Sequence, residues 1–130
     1  MAIIGYGGMG SWHGRHLLKS DVANLCGIYD IKEERRRVAE ENGIHAYASL
    51  EELLADTNVE AVTIATPNDV HKPLAIEAMK AGKHVYLEKP MAKTMVEAKF
   101  LRDVAAQTGV VTQMGTQYNA YASDRQVVEM

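Results

Sequence analysis

The sequence predicts an α/β fold in which helices cover both faces of a doubly wound parallel sheet. Short apolar segments alternate with amphipathic helical segments from Ile3 to Met114, and the connections between them are short. The apolar segments are continuous rather than alternating with polar residues, which is typical of strands buried on both faces. No internal repeat, low-complexity tract or linker-like segment interrupts the 130 residues, so we expect one domain.

The first elements surround a glycine-rich loop. A short strand at residues 3–4 runs directly into the loop at residues 5–10, and a helix is predicted over 12–19. A second strand is predicted over 22–29, and the next helix begins near Lys32. The loop therefore lies at the carboxyl end of a strand and at the amino end of a helix.

Capping signals place the later helices. Residues 49–52 and 94–97 both have the capping-box form, in which a hydroxyl and a carboxylate satisfy the free amides of a helix start. We expect the second of these helices to end at Gly109, and a further helix over 72–81 to end at Gly82. The strands between these helices are predicted over 61–65, 84–87 and 110–114.

The loop has the form Gly-x-Gly-x-x-Gly. Gly5 permits a tight turn, Gly7 allows a pyrophosphate to approach the backbone, and Gly10 lets the helix pack on the sheet. The unpaired amides and the helix dipole attract a diphosphate there. These features predict a Rossmann-type dinucleotide site, with contacts from Gly5, Tyr6, Gly7, Gly8, Met9 and Gly10.

Asp30 ends the second strand, twenty residues after Gly10. A carboxylate at this point accepts hydrogen bonds from the adenosine ribose hydroxyls and repels the 2′-phosphate of NADP, so NAD is favoured. The alternative for Asp30 is a turn carboxylate before the next helix. The cations that follow could hold a 2′-phosphate instead, or could form a solvated helix face; they are Lys32, Arg35, Arg36 and Arg37.

Composition excludes several classes of partner. The net charge of −3 and the aromatic content of 6% argue against nucleic-acid binding. No apolar segment is long enough to span a bilayer, and we expect no membrane association and a cytoplasmic location. Cys26 lies within the second predicted strand, so a buried, reduced thiol is expected. His13 and His16 could share a helix face, but without a third ligand we expect no metal site.

Two further motifs, Ala65-Thr66-Pro67-Asn68-Asp69-Val70-His71 and Glu88-Lys89-Pro90, stand at the ends of the third and fourth predicted strands. Together with the glycine loop, they resemble the Gfo/Idh/MocA family over nearly the whole chain. That family consists of NAD(P)-dependent oxidoreductases of sugars, inositols and related polyols. The resemblance implies that this chain corresponds to the family's N-terminal, cofactor-binding half.

The resemblance also implies roles for these residues. Lys89 would lie beside the nicotinamide and the substrate hydroxyl, where it assists proton transfer or holds the hydroxyl; otherwise it is an ordinary loop lysine. Glu88 would orient the nicotinamide ribose; otherwise it is a solvated carboxylate before a helix. The residues themselves also indicate that the position of Lys89 between Glu88 and Pro90 fixes its ammonium in place. The family often has a cis peptide before this proline.

The remaining candidates belong to the loops around the cofactor. The resemblance places Thr66 near the diphosphate, and Pro67 and Asn68 beside the adenine and ribose. His71 has either a site role or a role in capping the helix that it opens. Gln113 and Gln117 would contact nicotinamide or substrate, although glutamines at a strand end are also ordinary loop residues.

The family continues beyond the point that corresponds to Met130 into a second α/β domain. We expect residues 1–117 to form the NAD(P)-binding domain, 118–130 to begin the connection, and the second domain to be absent. We therefore expect a polyol or sugar dehydrogenase of this type in which the present chain binds the cofactor but turns over little or no substrate. A homo-oligomer is expected, formed through the apolar tail residues Tyr118, Tyr121, Val127, Val128 and Met130, unless the tail packs on its own sheet.

Two alternatives stay open. One branch of the family uses NAD transiently to hydrolyse glycosides, and the residues that would separate it fall mostly outside this chain. The other alternative is a non-catalytic NAD(H)-binding sensor, which would need the glycine loop and Asp30 but not Lys89.

Overall fold

Five parallel strands form one sheet in a computed structural model that describes residues 1–116 of the chain. The predicted α/β fold with a doubly wound parallel sheet is confirmed. The elements are β1 (Ala2–Ile4), α1 (Gly8–Leu17), β2 (Gly27–Tyr29), α2 (Glu33–Glu41), α3 (Leu50–Ala55), β3 (Ala61–Ile64), α4 (His71–Lys80), β4 (His84–Glu88), α5 (Met95–Thr108) and β5 (Thr112–Gly115). A short 3₁₀ turn, Asn68–Val70, precedes α4.

The strand order is β2-β1-β3-β4-β5. A single parallel bridge between Ile28 and Ala46 continues the sheet beyond β2. Counted as a rudimentary strand, this bridge gives the order 3-2-1-4-5-6 that is typical of dinucleotide-binding sheets. The order reverses between β1 and β3, so a crevice is expected at the carboxyl ends of these two strands.

Alternate side chains of β1 enter two separate cores. Ile3 belongs to a cluster beneath α1 and α2, whereas Ala2 and Ile4 belong to the larger cluster beneath α3, α4 and α5. All three residues are at most 1% exposed. Because strand side chains alternate between faces, three apolar residues suffice to anchor helices on both sides of the central strand.

The capping signals define helix starts as predicted. At α5, the Glu97 amide donates to Thr94 Oγ1 at 3.2 Å, and the Glu97 carboxylate accepts from the Lys93 amide at 3.0 Å. The Glu97 carboxylate therefore satisfies the amide of Lys93, the residue before the cap, rather than the amide of the cap residue Thr94. Ser49 caps α3 in the same manner, and α5 ends at Gly109 with a φ of 71°.

The boundaries of α1 differ from the prediction. The helix begins at Gly8 rather than at residue 12, so the last part of the glycine loop is its first turn. It ends at Leu17 rather than at residue 19. Glycine has low intrinsic helix propensity, but Gly10 and Gly14 both lie buried in this helix, where tertiary packing outweighs propensity.

The second strand is much shorter than predicted. It covers only Gly27–Tyr29, because its partner β1 begins at Ala2 and offers three residues to pair with. The preceding residues are irregular, and Val22 is 96% exposed. Cys26 is therefore half-buried outside the strand, and its thiol donates to the Asn58 carbonyl at 3.4 Å.

The interpretations made for Gln117 and for residues 118–130, including a helix near Ala120, fall outside the described residues. None of the helices between residues 1 and 116 is long and apolar enough to cross a membrane.

Candidate cofactor-binding site

A groove with a volume of about 660 Å³ lies at the carboxyl ends of β1, β2 and β3, where the strand order reverses. Six of the residues singled out from the sequence line it: Gly5, Gly7, Met9, Asp30, Thr66 and Pro67. Of the cations after Asp30, Lys32 and Arg35 also line the groove. The structure thus brings the glycine loop, the strand-end carboxylate and the first part of the Ala65–His71 motif to one surface.

The three glycines of the Gly-x-Gly-x-x-Gly motif have different structural roles. Gly5 has a φ of +90°, and a Cβ on Gly10 would lie 1.8 Å from the Gly5 carbonyl oxygen, so both positions require glycine. A Cβ on Gly7 would have no heavy atom within 4 Å. Gly7 therefore leaves open space in the groove, as required for a ligand that approaches the backbone closely.

The amino end of α1 faces this space with free donors. The first hydrogen bond of the helix runs from the Ser11 amide to the Gly7 carbonyl at 2.9 Å. The amides of Gly8, Met9 and Gly10 precede it and have no acceptor within the helix. No acidic residue lies in the first turn. The helix dipole and these amides favour an anion such as a diphosphate.

Asp30 is held in place by backbone amides. Its Oδ2 accepts from the Tyr6 amide at 2.7 Å, and its Oδ1 accepts from the Lys32 amide at 2.9 Å. Each carboxylate oxygen keeps a further lone pair, so Asp30 retains acceptors for ribose hydroxyls. Arg36 donates to the Asp30 backbone carbonyl at 2.6 Å, and Arg37 pairs with a carboxylate of its own helix.

Thr66 supplies the clearest test of whether a polar ligand fits. Its Oγ1 is buried and has no hydrogen-bond partner within residues 1–116, although buried hydroxyls are normally paired. Thr66 lines the groove close to Gly5. A diphosphate or ribose oxygen in the groove would give this hydroxyl its missing partner, so the residues present fit a dinucleotide.

An apolar wall that the sequence analysis missed completes the groove. Ile31, Val70 and Leu74 line it beside Pro67. Ile31 is 81% exposed, which is unusual for a large aliphatic residue in a polar turn. In the sequence, this apolar residue directly after Asp30 is the feature that indicates the wall. An apolar surface of this kind is suited to the flat face of an adenine.

The Tyr6 side chain is buried against α1 and supports the glycine loop by packing. Its ring is 4% exposed and packs against α1, where a Cβ on Gly14 would lie 3.1 Å from it. Burial raises the pKa of the Tyr6 phenol above its ordinary value, an effect partly offset by the charge of Arg15. Tyr6 therefore acts through its backbone amide on Asp30 and through packing, and its side chain is not at the groove surface.

Glu88 is turned towards α1. It is 6% exposed, and its Oε1 lies 2.7 Å from His13 Nε2. The His13 ring packs edge-on against Tyr86, and burial followed by the Glu88 charge raises the pKa of that tyrosine. No local sequence pattern indicates a contact between two residues 75 positions apart in the chain, and the spacing of His13 and His16 indicates only a shared helix face.

Lys89 is exposed, and within the described part of the chain it has no ion pair with Glu88 or any other carboxylate. The expectation that Glu88 fixes the lysine ammonium is therefore wrong, because the carboxylate is engaged by His13. The Lys89–Pro90 peptide bond is cis, as the resemblance implied.

His71 is buried with an exposed fraction of 1%. Its Nδ1 lies 2.8 Å from the Pro90 carbonyl oxygen and its Nε2 lies 2.8 Å from the Thr66 carbonyl oxygen. Neither nitrogen is left for a cofactor, and Val70, without a side-chain bond, occupies the cap position of α4. His71 therefore has neither of the two expected roles, cofactor contact or helix capping. It connects the loop after β3 with the loop after β4.

Two further candidates lie away from the groove. Asn68 lines a separate cavity of about 290 Å³ with Lys72 and Glu97. Gln113 is the second residue of β5 and pairs with Tyr86, so it does not end the strand as expected. Between residues 1 and 116, no three His, Cys, Asp or Glu side chains are grouped as metal ligands.

Comparison with known proteins agrees with the geometry. A family model described as an oxidoreductase family with an NAD-binding Rossmann fold matches residues 1–116. The scyllo-inositol 2-dehydrogenase (NAD(+)) of Bacillus subtilis is 33% identical over 117 residues, which cover 88% of this chain and 34% of that protein. The myo-inositol 2-dehydrogenase of Thermotoga maritima is 33% identical over 113 residues, covering 85% and 34% respectively.

Among solved structures, GenD2 from gentamicin A biosynthesis, in complex with NAD, has a TM-score of 0.93 at 30% identity and covers 98% of this chain and 37% of its own. An NAD-binding protein from Listeria innocua has a TM-score of 0.87 at 42% identity, with coverage of 91% and 35%. The chain spans about a third of the length of the curated relatives it matches.

Proposed function

The chain belongs to the Gfo/Idh/MocA oxidoreductase family and contains its NAD-binding Rossmann domain, and from that premise we propose that it serves a dehydrogenase of a sugar, inositol or related polyol. The observation that carries the cofactor part is the open space above Gly7 at the free amino end of α1. The substrate class rests on the two inositol dehydrogenases among the relatives.

In this function, NAD held in the groove would supply hydride transfer, which would oxidise the carbon that bears the substrate hydroxyl. The chain's own residues do the rest. The amides of α1 hold the diphosphate, Asp30 and Thr66 hold ribose or phosphate oxygens, and the apolar wall excludes water from one face. As a neutral amine, Lys89 would accept the proton that leaves the hydroxyl; as an ammonium, it would instead donate a hydrogen bond that holds that hydroxyl in position.

NAD is preferred over NADP in this proposal, because Asp30 lines the groove directly after β2, where a carboxylate would accept ribose hydrogen bonds and repel a 2′-phosphate. Residues 1–117 form the cofactor domain, and 118–130 lead towards the substrate domain that such a dehydrogenase requires. Homo-oligomer formation remains a prediction, and sedimentation at several concentrations tests it.

Titration with NADH, followed by its fluorescence, tests the cofactor site. Gly7→Val should weaken NADH binding by roughly tenfold or more, since overpacking of this kind costs about 1–3 kcal/mol. Because no heavy atom of residues 1–116 lies near a Gly7 Cβ in the free protein, the stability without NADH should fall only by the cost of valine in place of glycine at the cap position of α1. Equal NADH affinity for both proteins would contradict the proposed site.

The dehydrogenase part is tested by following NAD reduction with a panel of inositols and sugars at high protein concentration. Lys89→Met should lower the rate at least about tenfold, the lower range for loss of an acid or base, while NADH affinity is retained. Equal rates would show that Lys89 takes no part. Reduction of NAD by any of these compounds would contradict the sensor alternative.

A further inference from the structure

Lys89 is flanked on both sides by residues that bind a histidine from elsewhere in the fold. The Glu88 carboxylate meets His13 Nε2 at 2.7 Å, and the Pro90 carbonyl oxygen meets His71 Nδ1 at 2.8 Å. The exposed lysine side chain itself has no ion pair within residues 1–116. Its backbone is thus held at two points while its ammonium stays accessible.

The two histidines come from the two walls of the cofactor groove. His13 lies in α1, the helix whose amino end faces the open space above Gly7. His71 uses its second nitrogen to contact the carbonyl oxygen of Thr66, a groove residue, at 2.8 Å. Each histidine therefore connects one wall of the groove to one neighbour of Lys89.

Both connections lie in the interior, where such contacts are persistent. His71 is 1% exposed, and the side chains of His13 and Glu88 are 14% and 8% exposed. Removal of the His13 ring would leave a largely buried carboxylate without its partner, which is costly. Removal of the His71 ring would remove an N–H donor that lies between the carbonyl oxygens of Thr66 and Pro90.

We propose that His13 and His71 are positioning residues that set the location of Lys89 relative to the cofactor. This inference rests on the proposed function, in which Lys89 lies beside the nicotinamide. The histidines touch neither substrate nor cofactor. They align the lysine with the glycine loop through α1 and with Thr66 through the loop after β3, and misplacement by a fraction of an ångström reduces catalysis.

The alignment is measured by how far bound NADH protects Lys89 from chemical acetylation. The protein is treated with limiting acetic anhydride, with and without saturating NADH, and mass spectrometry compares Lys89 with Lys80, an exposed lysine at the end of α4. In the unchanged protein, NADH should slow acetylation of Lys89 severalfold and leave Lys80 unaffected. In His13→Leu and His71→Leu, NADH should bind at saturation but the protection of Lys89 should be lost.

Two variants control for a general loss of structure. His13→Gln keeps an N–H donor for Glu88 and should restore protection, whereas a purely space-filling role would not distinguish it from His13→Leu. His16→Leu changes an exposed histidine one turn along α1, whose hydrogen bond within residues 1–116 is to the Trp12 carbonyl of its own helix, and NADH should protect Lys89 normally in this variant. If His71→Leu does not fold, the comparison of His13→Leu with His13→Gln tests the positioning role by itself.

The outcomes separate the two proposals. Failure of the unchanged protein to bind NADH would overturn the proposed function and, with it, this inference. Binding of NADH without protection of Lys89 in the unchanged protein would overturn the assignment of Lys89 to the nicotinamide end. Equal protection in the unchanged protein, His13→Leu and His71→Leu would overturn the positioning role alone.

Discussion

At the scale of single residues, Thr66 is where the fold leaves a hydrogen-bonding group for a ligand. Its hydroxyl is buried without a partner in the described residues 1–116, which costs stability in the free protein. Thr66→Val should therefore raise the free energy of unfolding slightly or leave it unchanged. The same change should weaken NADH binding by about tenfold or more, because a hydrogen bond to a charged group contributes about 1.5–3 kcal/mol.

Thr108→Val is the matched control for this prediction. The Thr108 hydroxyl donates to the Val104 carbonyl at 2.9 Å in the last turn of α5, away from the groove. Chemical denaturation and NADH titration of both variants make the comparison. An unchanged NADH affinity in Thr66→Val would show that the hydroxyl does not meet the cofactor.

Asp30 and Arg35 compete for the choice of dinucleotide, since both line the groove. We predict that NADH binds about tenfold more tightly than NADPH, because the Asp30 carboxylate accepts ribose hydrogen bonds and repels a 2′-phosphate. Asp30→Asn should narrow this preference, while the amide oxygen can still accept one of the two backbone bonds. Parallel titrations with both cofactors measure it.

The control is Arg37→Gln, because Arg37 pairs with Glu33 on the exposed face of α2 and should not affect either affinity. Tighter binding of NADPH by the unchanged protein would mean that Arg35 rather than Asp30 determines the preference. In that case Arg35→Gln, and not Asp30→Asn, would be the variant that changes the ratio of affinities.

Residues were predictable where local sequence determines their role. The glycine spacing and Asp30 follow from backbone geometry that any dinucleotide loop must satisfy, and they could be read without the fold. The pairing of His13 with Glu88 depends on how α1 lies against β4, which no local pattern encodes. The same is true of His71, whose two acceptors belong to different loops.

At the scale of elements, the connection after α3 is held by the Asp56 carboxylate. It accepts from the Tyr47 hydroxyl at 2.7 Å and from the Asn58 amide at 2.8 Å, and these bonds lower the pKa of Asp56 below its ordinary 3.8. Burial and the bond to Asp56 raise the pKa of Tyr47. A lowered carboxyl pKa contributes stability above the unfolded pKa, and that contribution is lost as the pH falls through the folded pKa.

We predict that Asp56→Asn is less stable than the unchanged protein near neutral pH and that the difference narrows below the ordinary pKa of 3.8. Urea denaturation at about pH 7 and about pH 3 measures the two differences. Asp21→Asn, at an exposed turn, should show a much smaller difference at either pH. A gap that is constant with pH would contradict the role of the ionised carboxylate.

Helix starts were more predictable than strand ends. The hydroxyls of Ser49 and Thr94 define the starts of α3 and α5 because a cap acts within four residues. The length of β2 depends instead on its neighbour β1, which provides only three paired residues. Apolar sequence before Gly27 could not reveal that restriction, so the strand was predicted too long.

At the scale of the whole molecule, binding and stability are linked through the groove. Residues from the ends of β1, β2 and β3 line it, so the ligand bridges parts of the sheet that separate on unfolding. A ligand that binds only the folded state stabilises it by about 2.7 kcal/mol at a concentration of one hundred times its Kd. For a domain of this size, that corresponds to a rise in Tm of roughly 10 °C.

We therefore predict that NADH at this concentration raises the Tm of the unchanged chain by roughly 10 °C, as followed by circular dichroism. Gly7→Val should show about half of this rise or less at the same NADH concentration, measured from its own Tm without NADH, because its open space is filled. A tenfold weaker affinity lowers the stabilisation from about 2.7 to about 1.4 kcal/mol. An equal rise in Gly7→Val at that concentration would place NADH away from the glycine loop and would contradict the assignment of the groove.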